Sequence, residues 1–329
     1  MSAEPLCAQA GQGARLPDFF IVGHAKSGTT ALYEMLRGHP QVYMPALKEP
    51  WFFASDMRPR FIPVRAGPSP QTLEEYRALF KDAGPDQRIG EASSSYLWSR
   101  TAAAAIAQAA PQARIIAILR EPASFLRSLH LQLLQSHVEV RKDFRTAIEL
   151  EPARREGREI PRSSHRPQLL RYSDQVRYVE QLRRYHDLFP PDQVLVLIYD
   201  DFRNDNESVV RSVMRFLDVD AERPVAVQDV NPSIMMRSQR LDDLVYLVSV
   251  GRGGAITRGA RAAVKAVLPR RVRRDALQLT RTRVVHGRPP PTDEAFMLEL
   301  RHRFKGEVTA LSDYLGRDLV SLWGYEDVD

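Results

Sequence analysis

Cysteine is almost missing from this chain: Cys7 is the only one in 329 residues. A disulfide framework and a cysteine-built metal site are therefore excluded, which fits a reducing compartment. Long apolar runs are missing too. The longest, RIIAIL at 114–119 and VLVLIY at 194–199, are strand-sized and far short of the roughly 20 residues that cross a bilayer. Residues 1–17 lack the apolar stretch of a secretory signal and read as a disordered leader of a cytoplasmic protein. Charge of one sign is scarce except in one place. Eleven Lys and Arg between Arg252 and Arg288 face a single acid, Asp275, a local net of +10 that leaves −4 for the rest of a chain at +6 overall. Such a tract implies a local anion-facing element and argues against a general nucleic-acid coat.

What is present is an alternation of short apolar runs with helical patterns. Strands are expected at 18–23, 42–44, 114–119 and 194–199, each an apolar run of the kind buried in a parallel sheet. Helices are expected at 28–38, 71–80, 100–109, 122–137, 173–187 and 205–217. Pro/Arg-rich stretches at 58–70, 152–167 and 286–292 read as loops. No internal repeat or second domain is visible. The expectation is a single three-layer α/β domain over 18–329, a central parallel sheet flanked by helices, with 252–291 as a basic helical or loop excursion.

FFIVGHAKSGTTALYEML, residues 19–36, joins a strand to a helix through a turn of small residues. Gly28 lets the backbone approach an anion, the helix N-terminus favours negative charge, and Lys26, Ser27, Thr29 and Thr30 add a cation and hydroxyls. A Walker A loop carries its lysine after the last glycine, whereas Lys26 precedes Gly28. The loop is P-loop-like, specific for a phosphate-like anion but not for one reaction; a plain strand–helix turn is the bland alternative. The run RIIAIL ends in Arg120, where a nucleotide kinase needs an acid for Mg²⁺. An arginine is instead a bidentate phosphate ligand, and Ser128 follows eight residues later beyond Pro122, a residue suited to a first helical turn. Two separate phosphate-like groups and no metal are implied. The alternative for Arg120 is an ion pair with Glu121 or Glu91.

With these residues the chain resembles the sulfotransferases that use 3′-phosphoadenosine 5′-phosphosulfate (PAPS). FFIVGHAKSGTTAL is similar to their 5′-phosphosulfate loop, and LREPASFLRSL to their 3′-phosphate motif. HPQVYMPALKEPWFF, GEASSSYL, FPPDQVLVLIYDDFRND and VTALSDYLGRDLVSLW resemble the branch containing heparan-sulfate sulfotransferases and bacterial relatives. The resemblance covers roughly 18–220 and 295–325. It implies that Lys26 contacts the leaving 5′-phosphate oxygen, that Ser27, Gly28, Thr29 and Thr30 cradle it, and that Arg120 and Ser128 bind the 3′-phosphate. Glu49 falls where the branch keeps its catalytic base. The implied acceptor is a hydroxyl or amine of a small molecule, glycan or lipid-linked compound. The branch often carries a lysine, associated with an acidic sugar, where this chain has Ala92, which argues against a heparan-like acceptor. A late disulfide loop of some relatives has no counterpart here.

Sulfuryl transfer asks the protein to position two partners, neutralise a leaving oxygen and accept one proton. Glu49 could equally be a partner of Lys48 or Arg58. His130 and His137 are further candidates for proton transfer, with a satisfied core histidine as the commoner role. Trp51, Phe52 and Tyr96 read as acceptor-pocket or core aromatics. Tract 252–288 reads as a lid, a membrane-surface helix or a solvated excursion. Two rival functions remain: a kinase using ATP–Mg²⁺, and a non-enzymatic basic nucleic-acid-binding protein, which lacks interleaved aromatics.

Overall fold

The structure, a computed structural model, describes residues 15–57, 69–224, 235–236, 286–287 and 291–328. The basic tract 252–288 therefore lies outside the described residues, apart from His286 and Gly287. The guanidinium of Arg15 donates to the Pro85 carbonyl (2.6 Å).

Five parallel strands form one sheet in the order β2-β3-β1-β4-β5: β1 (Phe19–Gly23), β2 (Val42–Tyr43), β3 (Arg88–Ala92), β4 (Arg114–Leu119) and β5 (Val194–Ile198). Successive residues of β1 and β4 serve opposite faces. Phe20, Val22, Ile115 and Ala117 join one core cluster, and Phe19, Ile21, Ile116 and Ile118 join the other. Burial on both faces explains why these strands read as unbroken apolar runs.

The second cluster packs on α1 (Thr29–Arg37), through Leu32 and Leu36. The first packs on α3 (Ala102–Ala109), α4 (Pro122–Gln135) and α7 (Tyr178–His186). Between them in the chain lie α2 (Leu73–Ala78), closed by a Thr72/Glu75 capping box, and the short α5 (Phe144–Glu149) and α6 (Glu151–Arg155). After β5 come α8 (Tyr199–Asn204) and α9 (Asn206–Phe216), the latter lending Val210, Val213 and Met214 to the second cluster. Met235–Met236 and His286–Gly287 pair as a small antiparallel ladder. The C-terminal α10 (Glu294–Leu315) and α11 (Leu319–Leu322) return the chain to the first cluster. No helix among the described residues is long and apolar enough to cross a membrane.

The architecture is the one expected, but α5, α8, α10 and α11 fall outside the expected helices, and other elements differ locally. β3 escapes the apolar-run criterion because RIGEA holds a glycine and a carboxylate, both used by the core. Helix α6 occupies 151–155 at the edge of an expected loop, since Pro152 falls in its first turn, where a missing N–H costs nothing. The expected strand 194–199 stops at Ile198, and Tyr199 opens α8. The expected helix 173–187 starts as a 3₁₀ turn at Ser173–Val176 and becomes α-helical at Tyr178.

Chain order places β3 and β4 on either side of β1, so the connections leave in opposite directions at its carboxyl end. That is where open α/β sheets leave a crevice for a ligand. Gly90 keeps β3 in place: a Cβ there would fall on the Phe19 ring and the Met44 sulfur. We predict that Gly90→Ala lowers stability by about 1–3 kcal/mol, the usual cost of overpacking, read as a lower urea midpoint with an unchanged m-value.

Candidate active site

The turn after β1 is built for close backbone approach. Gly28 stands at φ 86° as the N-cap of α1, no side chain caps that helix, and Lys26 is itself left-handed at φ 63°. The first N–H groups of α1 are thus left for a ligand. A Cβ on Gly28 would lie 2.9 Å from the Phe202 ring of α8, so only glycine fits. Ser27 and Thr29 are buried in the turn and Thr30 is exposed. His24, inside the same turn, donates from Nε2 to the Gln175 carbonyl (3.0 Å) and packs edge-on against Phe125; burial pulls its pKa down to about 4, so it is a neutral brace.

Arg120 follows β4 directly. Its Nη1 donates to the backbone carbonyl of Lys26 (3.1 Å), its guanidinium lies over the Tyr199 ring (4.7 Å), and its own carbonyl accepts from Tyr178 (2.8 Å). Neither ion pair considered for it forms. Glu121 instead caps α4 through the N–H groups of Ala123 and Ser124 and accepts from Tyr325. Among the described residues no carboxylate pairs with Arg120 or Lys26. Burial, and next the charge of Arg120, hold the Lys26 ammonium below the usual lysine range. Ser128 is the seventh residue of α4 and is buried.

Glu49 sits beyond the end of β3, its N–H donating to the Ala92 carbonyl (2.9 Å). Ala92 is opposite Ile21 in the register, so Glu49 and the phosphate-like turn share one edge of the sheet. Four donors hold its carboxylate: Lys48 Nζ (3.1 Å) and Ser94 Oγ (2.7 Å) on Oε1, Trp51 Nε1 (2.8 Å) and Ser94 N–H (3.0 Å) on Oε2. The Lys48 pairing is therefore one contact of four, and Arg58, the other partner considered, lies outside the described residues. Glu49 and Trp51 are left-handed at φ 63° and 53°, a strain for non-glycine residues. It is held by Trp51 N–H on Ser93 Oγ (3.1 Å) and Phe53 N–H on the Tyr96 hydroxyl (3.2 Å).

The other candidates separate cleanly. Tyr96 is a core residue, wholly buried, and Phe52 stacks on Tyr76 (4.5 Å). Trp51 alone of the three aromatics meets Glu49. His130 is buried between the Lys142 carbonyl and the Tyr172 hydroxyl, 3.1 Å from each, and burial lowers its pKa. Through Tyr172 it joins the network around the buried Arg154–Glu139 pair. His137 is buried just past α4, at φ 56°. Ser94, Tyr178, Tyr199 and Arg166 were not singled out from sequence. Ser94 is the middle of three consecutive serines in GEASSSYL, and the sequence does not mark which one meets Glu49.

Comparison with known proteins decides the family. The family model described as "Sulfotransferase domain" matches residues 16–244. The chain belongs to the sulfotransferase family. It is 31% identical over 160 residues to carbohydrate sulfotransferase 15 of Mus musculus, covering 37% of this chain and 28% of that protein. To the human bifunctional heparan sulfate N-deacetylase/N-sulfotransferase 3 it is 27% identical over 226 residues, covering 62% of this chain and 22% of that protein. The chain thus spans about a quarter of the length of these relatives. A crystal structure of a sulfotransferase from Alicyclobacillus acidocaldarius superposes with a TM-score of 0.57 at 29% identity, over 74% of this chain and 97% of that one.

Behind Glu49 this sulfotransferase buries a second carboxylate. Glu91 of β3 accepts from the hydroxyls of Tyr76 (3.0 Å) and Tyr96 (2.9 Å). Burial pushes its carboxyl from 4.5 up to about 7, with the hydroxyl bonds opposing and the Glu49 charge adding. Between these values the folded chain keeps a proton that the unfolded chain loses. Stability from this group is complete below pH 4.5 and declines as pH rises to 7, by on the order of 3 kcal/mol. Urea unfolding of the native chain and Glu91→Gln at pH 5 and pH 8 checks this: the variant lacks that part of the pH slope.

Proposed function

We propose that this enzyme transfers a sulfuryl group from PAPS to a hydroxyl or amine of an acceptor, a glycan first among small-molecule, glycan and lipid-linked alternatives. One observation carries the nucleotide part. Lys26 and Arg120, two cations at neighbouring strand ends, are joined by a hydrogen bond and face no carboxylate among the described residues. Adjacent positive charges without an anion are costly, and a ligand with two anionic groups removes the cost. The uncapped N–H groups of α1 and the glycine at 28 fit the 5′ end of that ligand, and Arg120 with Ser128 fit its 3′-phosphate. The similarity to a carbohydrate sulfotransferase and a heparan sulfate N-sulfotransferase supports the glycan.

When bound, PAPS supplies an electrophilic sulfur and a phosphate leaving group. Lys26 and the N–H groups of the turn neutralise the oxygen that departs. Glu49 accepts the acceptor's proton. A carboxylate has about four lone-pair positions, and here four donors occupy them, so one must yield. Lys48, on the longest and most flexible stem, is the one that swings away from Oε1. Ser94 and Trp51 keep the carboxylate aimed meanwhile.

Calorimetry with the product, 3′,5′-adenosine bisphosphate, in the presence of EDTA tests the reading. Binding is expected without metal, and Arg120→Ala weakens it about 10–100-fold, the scale of a hydrogen bond to a charged group. A preference for ATP with Mg²⁺ would overturn it. For Glu49→Gln, bisphosphate affinity stays within about twofold while sulfuryl transfer to amino- and hydroxyl-sugars falls at least ~10²-fold. Unaltered transfer removes Glu49 from the role.

A further inference from the structure

Arg166, just before the 3₁₀ turn Pro167–Leu170, is the least expected side chain near the site. It is only 7% exposed, yet its Nε has no hydrogen-bond partner, and among the described residues its guanidinium forms no ion pair. Arginine is almost never buried without a partner, because a desolvated charge with idle donors is costly. Its guanidinium carbon lies over the Trp51 ring at 3.7 Å. Stacking on a ring face leaves the in-plane N–H donors unused.

Glu49 does not supply the missing acceptor. It attracts Arg166 through space, but its two oxygens are taken by Lys48, Trp51 and Ser94. Trp51 therefore stands between an idle guanidinium on its face and the carboxylate on its indole N–H. Burial brings Arg166 down to about 10, so it stays charged at neutral pH. Neighbouring His165, held near 4 by burial and by Arg166, adds no charge. A planar fork of donors beside a base suits a planar or tripodal oxyanion.

Resting on the sulfotransferase reading above, we propose that Arg166 anchors the acceptor by a carboxylate or sulfate group and so presents its hydroxyl or amine to Glu49. The acceptor is thus an acidic sugar or a similarly anionic molecule.

The test uses the full chain saturated with 3′,5′-adenosine bisphosphate. Methyl glucuronide, glucose 6-sulfate and neutral methyl glucoside are titrated by calorimetry. At least one anionic sugar binds ten or more times tighter than the glucoside. Arg166→Gln erases that preference while bisphosphate affinity stays within twofold, and Arg166→Lys, with charge but no fork, retains part of it. Tryptophan emission of the unmodified chain, shifted by the anionic sugar and not by the neutral one, repeats the test without a variant. Equal binding of charged and neutral sugars, absence of binding by all three, or a preference surviving in Arg166→Gln overturns the anchor. Each of those leaves the nucleotide reading standing; failure of the bisphosphate itself to bind ends both.

Discussion

The guanidinium of Arg120 reaching the carbonyl of Lys26 joins the ends of β4 and β1. Two parallel strands are already neighbours there through Gly23 and Ala117, but sheet pairing alone does not shape the turn beyond. The added bond holds Lys26 in a left-handed conformation and sets two positive charges side by side. Everything around it serves that juxtaposition. Tyr178 holds the carbonyl of Arg120, Tyr199 supports its guanidinium, and Phe202 closes the space that a side chain at position 28 would need. The C-terminal segment completes the support, with Arg317 on Asp201 and Trp323 on Asp200 bracing α8.

A second assembly governs the proposed base. Residues 49–53 carry two left-handed non-glycine residues, and they keep that shape because the segment after β3 binds them at several points. The buried trio of Glu91, Tyr76 and Tyr96 lies under this arrangement, so a core carboxylate is tied by hydroxyl bonds to the geometry at the surface. A strained backbone at a functional position is stable only when its surroundings over-determine it. Here they do so through both main-chain and side-chain donors.

Charge satisfaction separates structural from functional groups in this molecule. Glu121, Glu139 and Arg154 are buried, and each has its donors or acceptors supplied by the chain, whereas Glu91 is held on Oε2 alone. Lys26 and Arg120 share hydrogen-bond geometry but no anion, and Arg166 has neither. The first group holds the fold together. The second carries charge that no carboxylate among the described residues pairs with, and the proposed ligand contacts rest on that difference.

Local patterns gave away four of the five strands and drew attention to the turn at 24–28 and the Arg120–Ser128 spacing, because each depends on residues within about ten positions of one another. Apolar runs declare a doubly covered strand, and a glycine beside a lysine after such a run declares an anion turn. Distant partners settled the rest. β3 is legible only once Phe19 and Met44 press on Gly90; Glu49 is distinguished from a surface ion pair by Ser94, 45 residues away. Arg166 gains its meaning from Trp51, in a different part of the chain, and no spacing in the sequence links the two. Contacts of that kind arise when folding closes a long loop, so they belong to the tertiary structure alone.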